Sequence, residues 1–220
     1  MKKVIIFGNG QMAEIAHVYL NHDSPYQVAA FTVDREYITT SDFRSLPLVP
    51  FEDVENIYSP SEYDMFIPIG AKKLNGLRAE KYMQAKAKGY KFISYISPKA
   101  IVCPEAKIGE NCFIFENNVI QPFVTIGNDV ILWSGNHIGH HTTIGDHCFV
   151  ASHVVISGRV TVEPYCYFGV NSTVRDGINI KQKCIIGAGA LILKSTLEKQ
   201  VYRGQHTECY RFSSDMVKVA

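Results

Sequence analysis

The sequence predicts a small α/β, Rossmann-like domain followed by a parallel β-helix of hexapeptide repeats. The main observation is that every sixth residue from position 102 to position 192 is apolar, over sixteen steps without a polar residue. A period of six fits neither the helical period of 3.6 nor strand alternation, and it is typical of a β-helix in which three hexapeptides close one triangular coil. The second observation is a glycine-rich segment near the amino terminus. The apolar series is Val102, Ile108, Ile114, Ile120, Ile126, Leu132, Ile138, Ile144, Val150, Ile156, Val162, Phe168, Val174, Ile180, Ile186 and Ile192.

The amino-terminal domain, residues 1–96, begins with a predicted strand at residues 4–7. The next residues have the pattern G-x-G-x-x-A before a helical stretch, so the glycines allow a phosphate to approach the backbone and the helix amino terminus stabilises its charge. Further strands are predicted at 28–33, 63–70 and 91–96, and a helix at 73–88. Asp34 ends the second strand, where it can accept hydrogen bonds from a ribose or a base, and Gly70 ends the third. The candidate nucleotide-binding residues are therefore Gly8, Asn9, Gly10, Gln11, Asp34 and Gly70.

Three interpretations of the glycine-rich segment stay open. A nicotinamide dehydrogenase would begin in the same way, but fewer than 100 residues precede the repeats, which is short for the two halves of a dinucleotide fold. We therefore expect one nucleotide to bind. The glycines could also simply form a tight turn between strand and helix.

In the β-helix, predicted for residues 97–207, the apolar residue of each hexapeptide and the residue two places before it should both point inward, because side chains alternate along a strand. Cys112, Cys148, Cys166 and Cys184 occupy that second position. We expect them to pack in the core rather than to form disulfides or bind zinc. The residues after the apolar one should turn the corner, where glycine relieves backbone strain. Residues 208–220 match no repeat.

The overall composition argues against several classes of function. The net charge of +1 gives no electrostatic reason to expect a nucleic acid or an acidic membrane as partner. No apolar run approaches the roughly 20 residues needed to span a bilayer, and the amino terminus lacks a secretory signal. We expect a cytoplasmic protein.

Five of the eight histidines lie between positions 137 and 153. His141, His147 and His153 hold the same place in three successive hexapeptides, so they should lie on three sides of one coil and cannot bind one metal ion within a chain. An ion shared between subunits, as in hexapeptide-repeat carbonic anhydrases, stays an alternative. The other interpretation is general-base catalysis by an imidazole. Gly158 lies one coil of eighteen residues after His140, and its N–H could bind an oxyanion.

The chain resembles a known family in the element Gly-x-x-x-Gly-His-His-x-x-Ile-Gly, which begins at Gly135. With a short nucleotide-binding domain before an uninterrupted run of hexapeptides, it is similar to the bacterial nucleotide-sugar acetyltransferases related to sialic acid O-acetyltransferases. Members of this family N-acetylate UDP-, GDP- or dTDP-linked 4-amino-4,6-dideoxy sugars. The resemblance implies a left-handed β-helix, a homotrimer, and acetyl-CoA in the groove between adjacent prisms.

The resemblance also implies roles for individual residues. His140 matches the general base, and Gly158 matches the glycine whose amide faces the thioester carbonyl. Small residues such as Ala188 would line the coenzyme groove. His141 is expected to contact the substrate in a different role from His140, because adjacent residues of a strand point to opposite faces. Trp133 follows the inward Leu132, so it should begin a corner, where its indole could form a wall of the sugar pocket or a plain surface contact.

Three positions depart from the family pattern. Relatives often carry glutamate directly after the base, where this chain has His141. Many carry a second histidine at the place of Phe149. The usual carboxy-terminal Gly-x-Pro-Ala is replaced by Gly204-Gln205-His206-Thr207, which affects the outer part of the coenzyme pocket.

The sequence therefore predicts an acetyl-CoA-dependent N-acetyltransferase that acts on a nucleotide-linked amino sugar for a surface glycan, with His140 as base and no metal. The alternatives are O-acetylation of a sugar, a hexapeptide-repeat metalloenzyme of the carbonic anhydrase type, and a scaffold protein that has lost its chemistry. The expected partners are the nucleotide sugar, acetyl-CoA and two further copies of the chain, with no nucleic acid and no membrane.

Overall fold

The computed structural model describes residues 2–205, 207–209, 211 and 214–216, which form an α/β sheet domain and a three-sided prism. The elements of the first part are β1 (Lys2–Phe7), α1 (Gln11–Asp23), β2 (Tyr26–Val33), β3 (Asp42–Phe43), β4 (Leu46–Pro50), α2 (Val54–Ile57), β5 (Tyr63–Phe66) and α3 (Gly76–Ala87), with a 3₁₀ turn at Arg35–Tyr37. A second 3₁₀ turn, Ser214–Met216, follows the prism. None of the helices in these ranges is long and apolar enough to cross a bilayer.

The strands of the first sheet are ordered β3-β4-β2-β1-β5, and all neighbours are parallel except the hairpin of β3 and β4. Residues 4–7 of β1 are buried, as expected for an inner strand covered on both faces. The carboxyl ends of β1, β2 and β5 therefore lie at one edge, where α/β sheets bind their ligands.

Two predicted elements of this domain differ in the structure. The third strand ends at Phe66, and α3 begins at Gly76 rather than at position 73. Lys73, Leu74 and Asn75 instead have positive φ angles of 53°, 50° and 65°, so Leu74 does not lie on the helix. Asn75 is buried and donates from Nδ2 to the Cys166 carbonyl at 3.2 Å. Contacts with the prism thus hold a left-handed turn that local propensity does not predict.

The predicted last strand of this domain, residues 91–96, is also divided. Phe92 bridges to Met65 of β5, whereas Tyr95–Ile96 forms the first strand of the prism, β6. The prism continues with two-residue strands: β7 (Ile101–Val102), β8 (Lys107–Ile108), β9 (Phe113–Ile114), β10 (Val119–Ile120), β11 (Thr125–Ile126), β12 (Ile131–Leu132), β13 (His137–Ile138), β14 (Thr143–Ile144), β15 (Phe149–Val150), β16 (Val155–Ile156), β17 (Thr161–Val162), β18 (Tyr167–Phe168), β19 (Thr173–Val174), β20 (Asn179–Ile180), β21 (Ile185–Ile186), β22 (Leu191–Ile192) and β23 (Val201–Tyr202).

These strands form three parallel sheets that are the faces of a left-handed β-helix. We name the faces by their strands: the open face (β7, β10, β13, β16, β19, β22), the polar face (β8, β11, β14, β17, β20) and the docked face (β6, β9, β12, β15, β18, β21, β23). Strand partners are eighteen residues apart, as in the pair His137 and Val155, except in the last pair, β21 and β23, where Ile185 and Val201 are sixteen apart. The predicted three hexapeptides per coil are confirmed.

The prism core contains both predicted inward series. From Ile114 and Cys112 onward every member is buried, including the four cysteines, whereas Val102 and Ile108 in the first coil are partly buried. The end coil has a neighbour on one side only, which explains its partial exposure. Repeated stacking therefore buries a core that one hexapeptide could not.

The corner glycines have a different role from the one expected. The glycines directly after the apolar residue, such as Gly109 and Gly139, do not have positive φ angles. The residues with positive φ angles lie two positions further on, as at Asn111 and His141. A Cβ on Gly139 would instead lie 2.4 Å from the Gly158 nitrogen in the next coil. These glycines are required for close approach of successive coils rather than for backbone strain.

We name the three corners by a residue or by their contact. The Trp133 corner contains residues 133–135, 151–153, 169–171 and 187–189, the His140 corner 121–123, 139–141, 157–159 and 175–177, and the docked corner 109–111, 127–129, 145–147, 163–165 and 181–183. The sheet domain covers the docked face through an apolar cluster that joins Phe31 and Phe66 to Phe113 and Phe149.

Arg78 of α3 fixes the sheet domain to the docked corner. Its guanidinium is fully buried and contacts the Asp129 carboxylate at 3.2 Å. Asp129 also accepts a hydrogen bond from Asn111 at 2.7 Å and lies 2.7 Å from Nδ1 of His147. The two parts of the chain are therefore joined by a buried charged network as well as by apolar packing.

Candidate functional site

His140 lies in the two-residue turn of the His140 corner, and its imidazole is packed against Gly158 of the next coil. A Cβ on Gly158 would lie 2.7 Å from Nε2 of His140, so no larger residue fits there without displacing the ring. The His140 N–H donates to Oε1 of Gln121 at 2.8 Å, and its carbonyl accepts from the Arg159 N–H at 2.8 Å. The expected stacking of His140 and Gly158 is therefore present.

The Gly158 N–H has no hydrogen-bond acceptor among the described residues. The corresponding N–H one coil earlier, at His140, is bound by the side chain of Gln121. The residue that would supply such a side chain to Gly158 is Gly139, which has none. A backbone donor without an intramolecular acceptor can bind a negatively charged oxygen. Sequence reasoning missed this contribution of Gly139 because the glycine belongs to a pattern repeated at several corners.

The expectation that His140 and His141 point to opposite faces is wrong. The two residues belong to a turn and not to a strand, and the residue at 141 has a φ of 58°. Their Nδ1 atoms are 3.1 Å apart, with the rings nearly perpendicular at 86°. The side chains are both exposed and form a hydrogen-bonded pair.

The predicted nucleotide-binding residues meet at one cavity of about 530 Å³ at the carboxyl ends of β1, β2 and β5. Gly8, Asn9, Gly10, Gln11, Asp34 and Gly70 all line it. The size is within the range of small-molecule sites. The structure therefore brings together residues that are separated by more than 60 positions in the sequence.

The two positions of the glycine-rich segment differ in whether they need a glycine. Gly8 has a φ of 124°, and a Cβ there would lie 3.2 Å from Cβ of Ala13, so the tight turn needs glycine. A Cβ on Gly10 would meet nothing within 4 Å. Gly10 is also the residue before α1 and provides no side-chain cap, so the first N–H groups of the helix are open toward the cavity.

Lys81 of α3 is a cavity residue that sequence reasoning missed. Its ammonium lies 2.5 Å from Oδ1 of Asp34 and sits over the rings of Phe7 and Phe51, at 5.7 and 5.5 Å from their centroids. The side chain is 9% exposed. Asp34 is therefore already held by a cation on one oxygen, and the cavity presents a positive and a negative group side by side. A buried lysine on a predicted helix gave no signal because its partner lies 47 residues away.

Trp133 and Ala188 lie at the Trp133 corner, not at the His140 corner. The indole of Trp133 stacks on Phe115, with centroids 4.5 Å apart and an angle of 9°, and it packs against the apolar cluster under the sheet domain. Ala188 is exposed, and its backbone approaches Gly169 of the preceding coil. Within one chain neither residue shares a corner with His140 and Gly158.

The remaining histidines of the cluster lie apart from each other. His147 is bound to Asp129 at the docked corner, and His153 packs over Gly135 at the Trp133 corner. Within the described ranges, no group of three or more histidine, cysteine or acidic side chains is arranged to hold a metal ion.

The other departures from the family pattern are placed as follows. Phe149 is buried on the docked face and stacks with Tyr167 at 5.4 Å, so it does not reach the His140 corner. Gly204 approaches Ala188 so closely that a Cβ would overlap its carbonyl oxygen. His206 lies outside the described residues.

Comparison with known proteins gives the following matches. The model of the bacterial transferase hexapeptide (six repeats) matches residues 105–140 and 123–158, and that of the hexapeptide repeat of succinyl-transferase matches residues 159–194. No curated protein sequence matches significantly.

Solved structures are similar to nearly the whole chain. The acetyltransferase domain of PglB from Neisseria gonorrhoeae has a TM-score of 0.79 at 20% identity, covering 93% of this chain and 97% of that one. PerB, the perosamine N-acetyltransferase of Caulobacter crescentus, solved with CoA and GDP-perosamine, has a TM-score of 0.80 at 23% identity, covering 92% and 94%. WeeI from Acinetobacter baumannii has a TM-score of 0.59 at 17% identity, covering 91% and 96%. Residues 105–194 of the prism therefore match hexapeptide-repeat transferase models, and the whole chain has the fold of the hexapeptide-repeat acetyltransferases.

Proposed function

We propose that the protein transfers the acetyl group of acetyl-CoA to the amine of a nucleotide-linked amino sugar, with a 4-amino-4,6-dideoxy sugar as the expected acceptor. The observation that carries this proposal is the pairing of an exposed imidazole, His140, with the open N–H of Gly158. The structurally similar PerB was solved with CoA and GDP-perosamine, which supports this class of donor and acceptor.

The chemistry assigned to these two residues is simple. The neutral sugar amine attacks the thioester carbonyl, a C–N bond forms, and Nε2 of His140 takes a proton from the nitrogen. The Gly158 N–H stabilises the carbonyl oxygen while it carries negative charge. The C–S bond then breaks, and the proton held on His140 is available to the departing thiolate.

The nucleotide part of the acceptor is assigned to the cavity of the sheet domain. The open N–H groups at the start of α1 and the ammonium of Lys81 suit a diphosphate, and Asp34 keeps one oxygen for a hydroxyl or a base N–H. The cavity, at about 530 Å³, is large enough to hold one nucleotide.

The cavity and His140 of one chain are on different sides of the prism. The sheet domain covers the docked face, whereas the His140 corner lies between the open and polar faces. We therefore assign the complete site to a trimer, in which the nucleotide sugar bound by one chain reaches His140 of its neighbour. Ala188 and Trp133, on the Trp133 corner, would then line the same groove from the other chain. The open face has exposed apolar residues, including Ile101, Val155 and Leu191, that suit contact between copies.

Turnover by the purified protein tests this proposal. Acetyl-CoA is supplied with UDP-, GDP- or dTDP-linked 4-amino-4,6-dideoxy sugars, and free CoA thiol is measured. The variant His140→Ala should fold and assemble as the parent does but lose at least about 100-fold in kcat. His22→Ala, at the exposed end of α1, is the control. A folded His140→Ala trimer that keeps most of its turnover would remove His140 from this role.

Three competing functions are separated by related measurements. O-acetylation predicts turnover with hydroxy sugars and not with their amino counterparts. A metalloenzyme predicts a stoichiometric metal in the purified protein, with ligands drawn from several copies. A scaffold without chemistry predicts no binding of CoA in a thermal-shift assay, in which a bound ligand raises the melting temperature.

A further inference from the structure

We propose that His141 is a positioning residue for His140: it accepts the proton on Nδ1 of His140 and so leaves Nε2 free to act as the base. This inference rests on the proposed function, because a base is needed only if the corner carries out acyl transfer. It gives His141 a role other than contact with the substrate.

The distance between the two rings restricts where their protons lie. Two nitrogens 3.1 Å apart form a hydrogen bond only when one carries a hydrogen and the other a lone pair. If both Nδ1 atoms carried hydrogens, or neither did, the contact would be repulsive. The tautomers of the two neutral rings are therefore coupled, and only two arrangements are allowed.

Only one of these arrangements is productive. When His140 carries its hydrogen on Nδ1 and donates to His141, Nε2 of His140 has a lone pair on the side of Gly158. In the reverse arrangement His140 accepts from His141 and holds its own hydrogen on Nε2, so it cannot take a proton from the substrate. Within the described part of the chain, Nε2 of His140 has no hydrogen-bond partner, which leaves it available for a substrate amine.

The fold of the corner does not itself require an imidazole at position 141. Phe123 holds the equivalent position one coil earlier, with a φ of 63° against 58° for His141, and the two rings pack at 4.8 Å. An aromatic ring without nitrogen is therefore accommodated in this turn. The nitrogen of His141 adds a function that packing does not explain.

The neutral acceptor has a consequence for the pH dependence of the reaction. When Nε2 of His140 takes a proton, a neutral imidazole at position 141 stabilises the resulting cation less than a carboxylate at that position would. The other charged groups of the same corner are Arg175 and the exposed pair of Arg159 and Asp176, 3.0 Å apart. A carboxylate in place of His141 would stabilise protonated His140 and move the acid limb of the rate profile to higher pH.

Three substitutions at position 141 separate positioning from packing. In His141→Asn the amide Oδ1 takes the place of Nδ1, because both are bonded to Cγ, and asparagine tolerates a positive φ. His141→Phe keeps the ring and removes the acceptor. His141→Asp places a charged acceptor at the same atom.

We expect His141→Asn to stay within about threefold of the parent kcat and His141→Phe to lose at least about tenfold, with both KM values unchanged. His141→Asp should shift the acid limb upward by about one pH unit. A packing role predicts the reverse order of the first two variants. Parent-like kcat in His141→Phe, an equal loss in His141→Asn, or an unmoved acid limb in His141→Asp would each overturn the proposal.

Nitrogen NMR of the parent protein tests the pair without any turnover. With both rings neutral, the ¹⁵N shifts should show hydrogen on Nδ1 of His140 and on Nε2 of His141. Hydrogen on Nε2 of His140 would overturn the positioning role even in an active enzyme. If instead the shifts are as expected but His140→Ala keeps its turnover, the proposed function fails and the pairing stands.

Discussion

Position 139 shows how a missing side chain supports the proposed chemistry. A Cβ on Gly139 would lie 2.4 Å from the Gly158 nitrogen, so Gly139→Ala should displace or cover the proposed oxyanion donor. Loss of one such donor typically lowers kcat by about 100- to 1000-fold. We expect a fall of at least about tenfold in kcat for the folded variant, measured with the parent's best substrate.

The control for this variant is Gly109→Ala at the docked corner. There a Cβ would lie 2.7 Å from the Gly127 carbonyl oxygen, so the cost to coil stacking is similar while the His140 corner is unchanged. Both variants should melt at a lower temperature, and only Gly139→Ala should lose turnover per folded molecule. Equal losses of kcat would mean that coil spacing alone, and not the Gly158 N–H, limits the reaction.

The buried cysteines illustrate what single positions reveal in a sequence. Their period of six correctly predicted that they point into the core. The structure adds that each thiol faces a corner carbonyl in the next coil, as for Cys166 and Lys181 at 3.2 Å. Thr142 makes the same contact with the Ser157 carbonyl at 2.9 Å. The sixfold repeat of the sequence shows that these side chains point inward. It does not show that a buried carbonyl at the corner of the next coil needs a hydrogen-bond donor.

At the scale of elements, α3 connects the cavity of the sheet domain to the prism through Arg78. Besides its contact with Asp129, the guanidinium donates to the carbonyls of Ile69 at 3.0 Å and Gly70 at 3.3 Å. Gly70 lines the cavity. The same side chain therefore fixes the docking of the sheet domain and the position of one cavity wall.

Replacing Arg78 by methionine should be strongly destabilising, because Asp129 then keeps a buried charge without its guanidinium. Breaking such a pair typically costs about 3–5 kcal/mol, equivalent to roughly 10 °C in melting temperature. Arg159→Met, which removes an exposed partner of Asp176, should change the melting temperature by no more than about 2 °C. Similar shifts for both variants would mean that the buried network contributes little to docking.

Elements differ in how far they could be predicted, and the reason is the range of the contacts that determine them. The strands of the prism follow from a short local repeat. The start of α3 does not, because Asn75 and its left-handed neighbours are held by the Cys166 carbonyl, 91 residues away. The hairpin of β3 and β4 was not predicted, since its strands are two and five residues long. The residues proposed for nucleotide binding do line one cavity, but Lys81 joins them there only through tertiary contacts.

For the whole molecule, tyrosines join the sheet domain to the prism. Tyr19 donates to Glu116 at 2.8 Å, and Tyr82 donates to Glu110. Burial, and then the hydrogen bond to Glu116, raise the pKa of Tyr19 to about 12. Burial, and then the hydrogen bond to Glu110, likewise raise the pKa of Tyr82 to about 12. In both cases the neutral phenol is the form that the folded chain favours.

The sign of the resulting pH effect follows from linkage. Because the folded pKa values are above the ordinary value of 10, the contribution is complete below pH 10 and is lost as the pH rises from 10 toward 12. We expect the melting temperature to fall over this range, because the phenols ionise in the unfolded chain while the folded chain still holds them neutral. The double variant Tyr19→Phe/Tyr82→Phe should be less stable at pH 8 and should lose stability less steeply above pH 10. A slope that is the same in both proteins would assign the alkaline loss to groups outside the contact between sheet domain and prism.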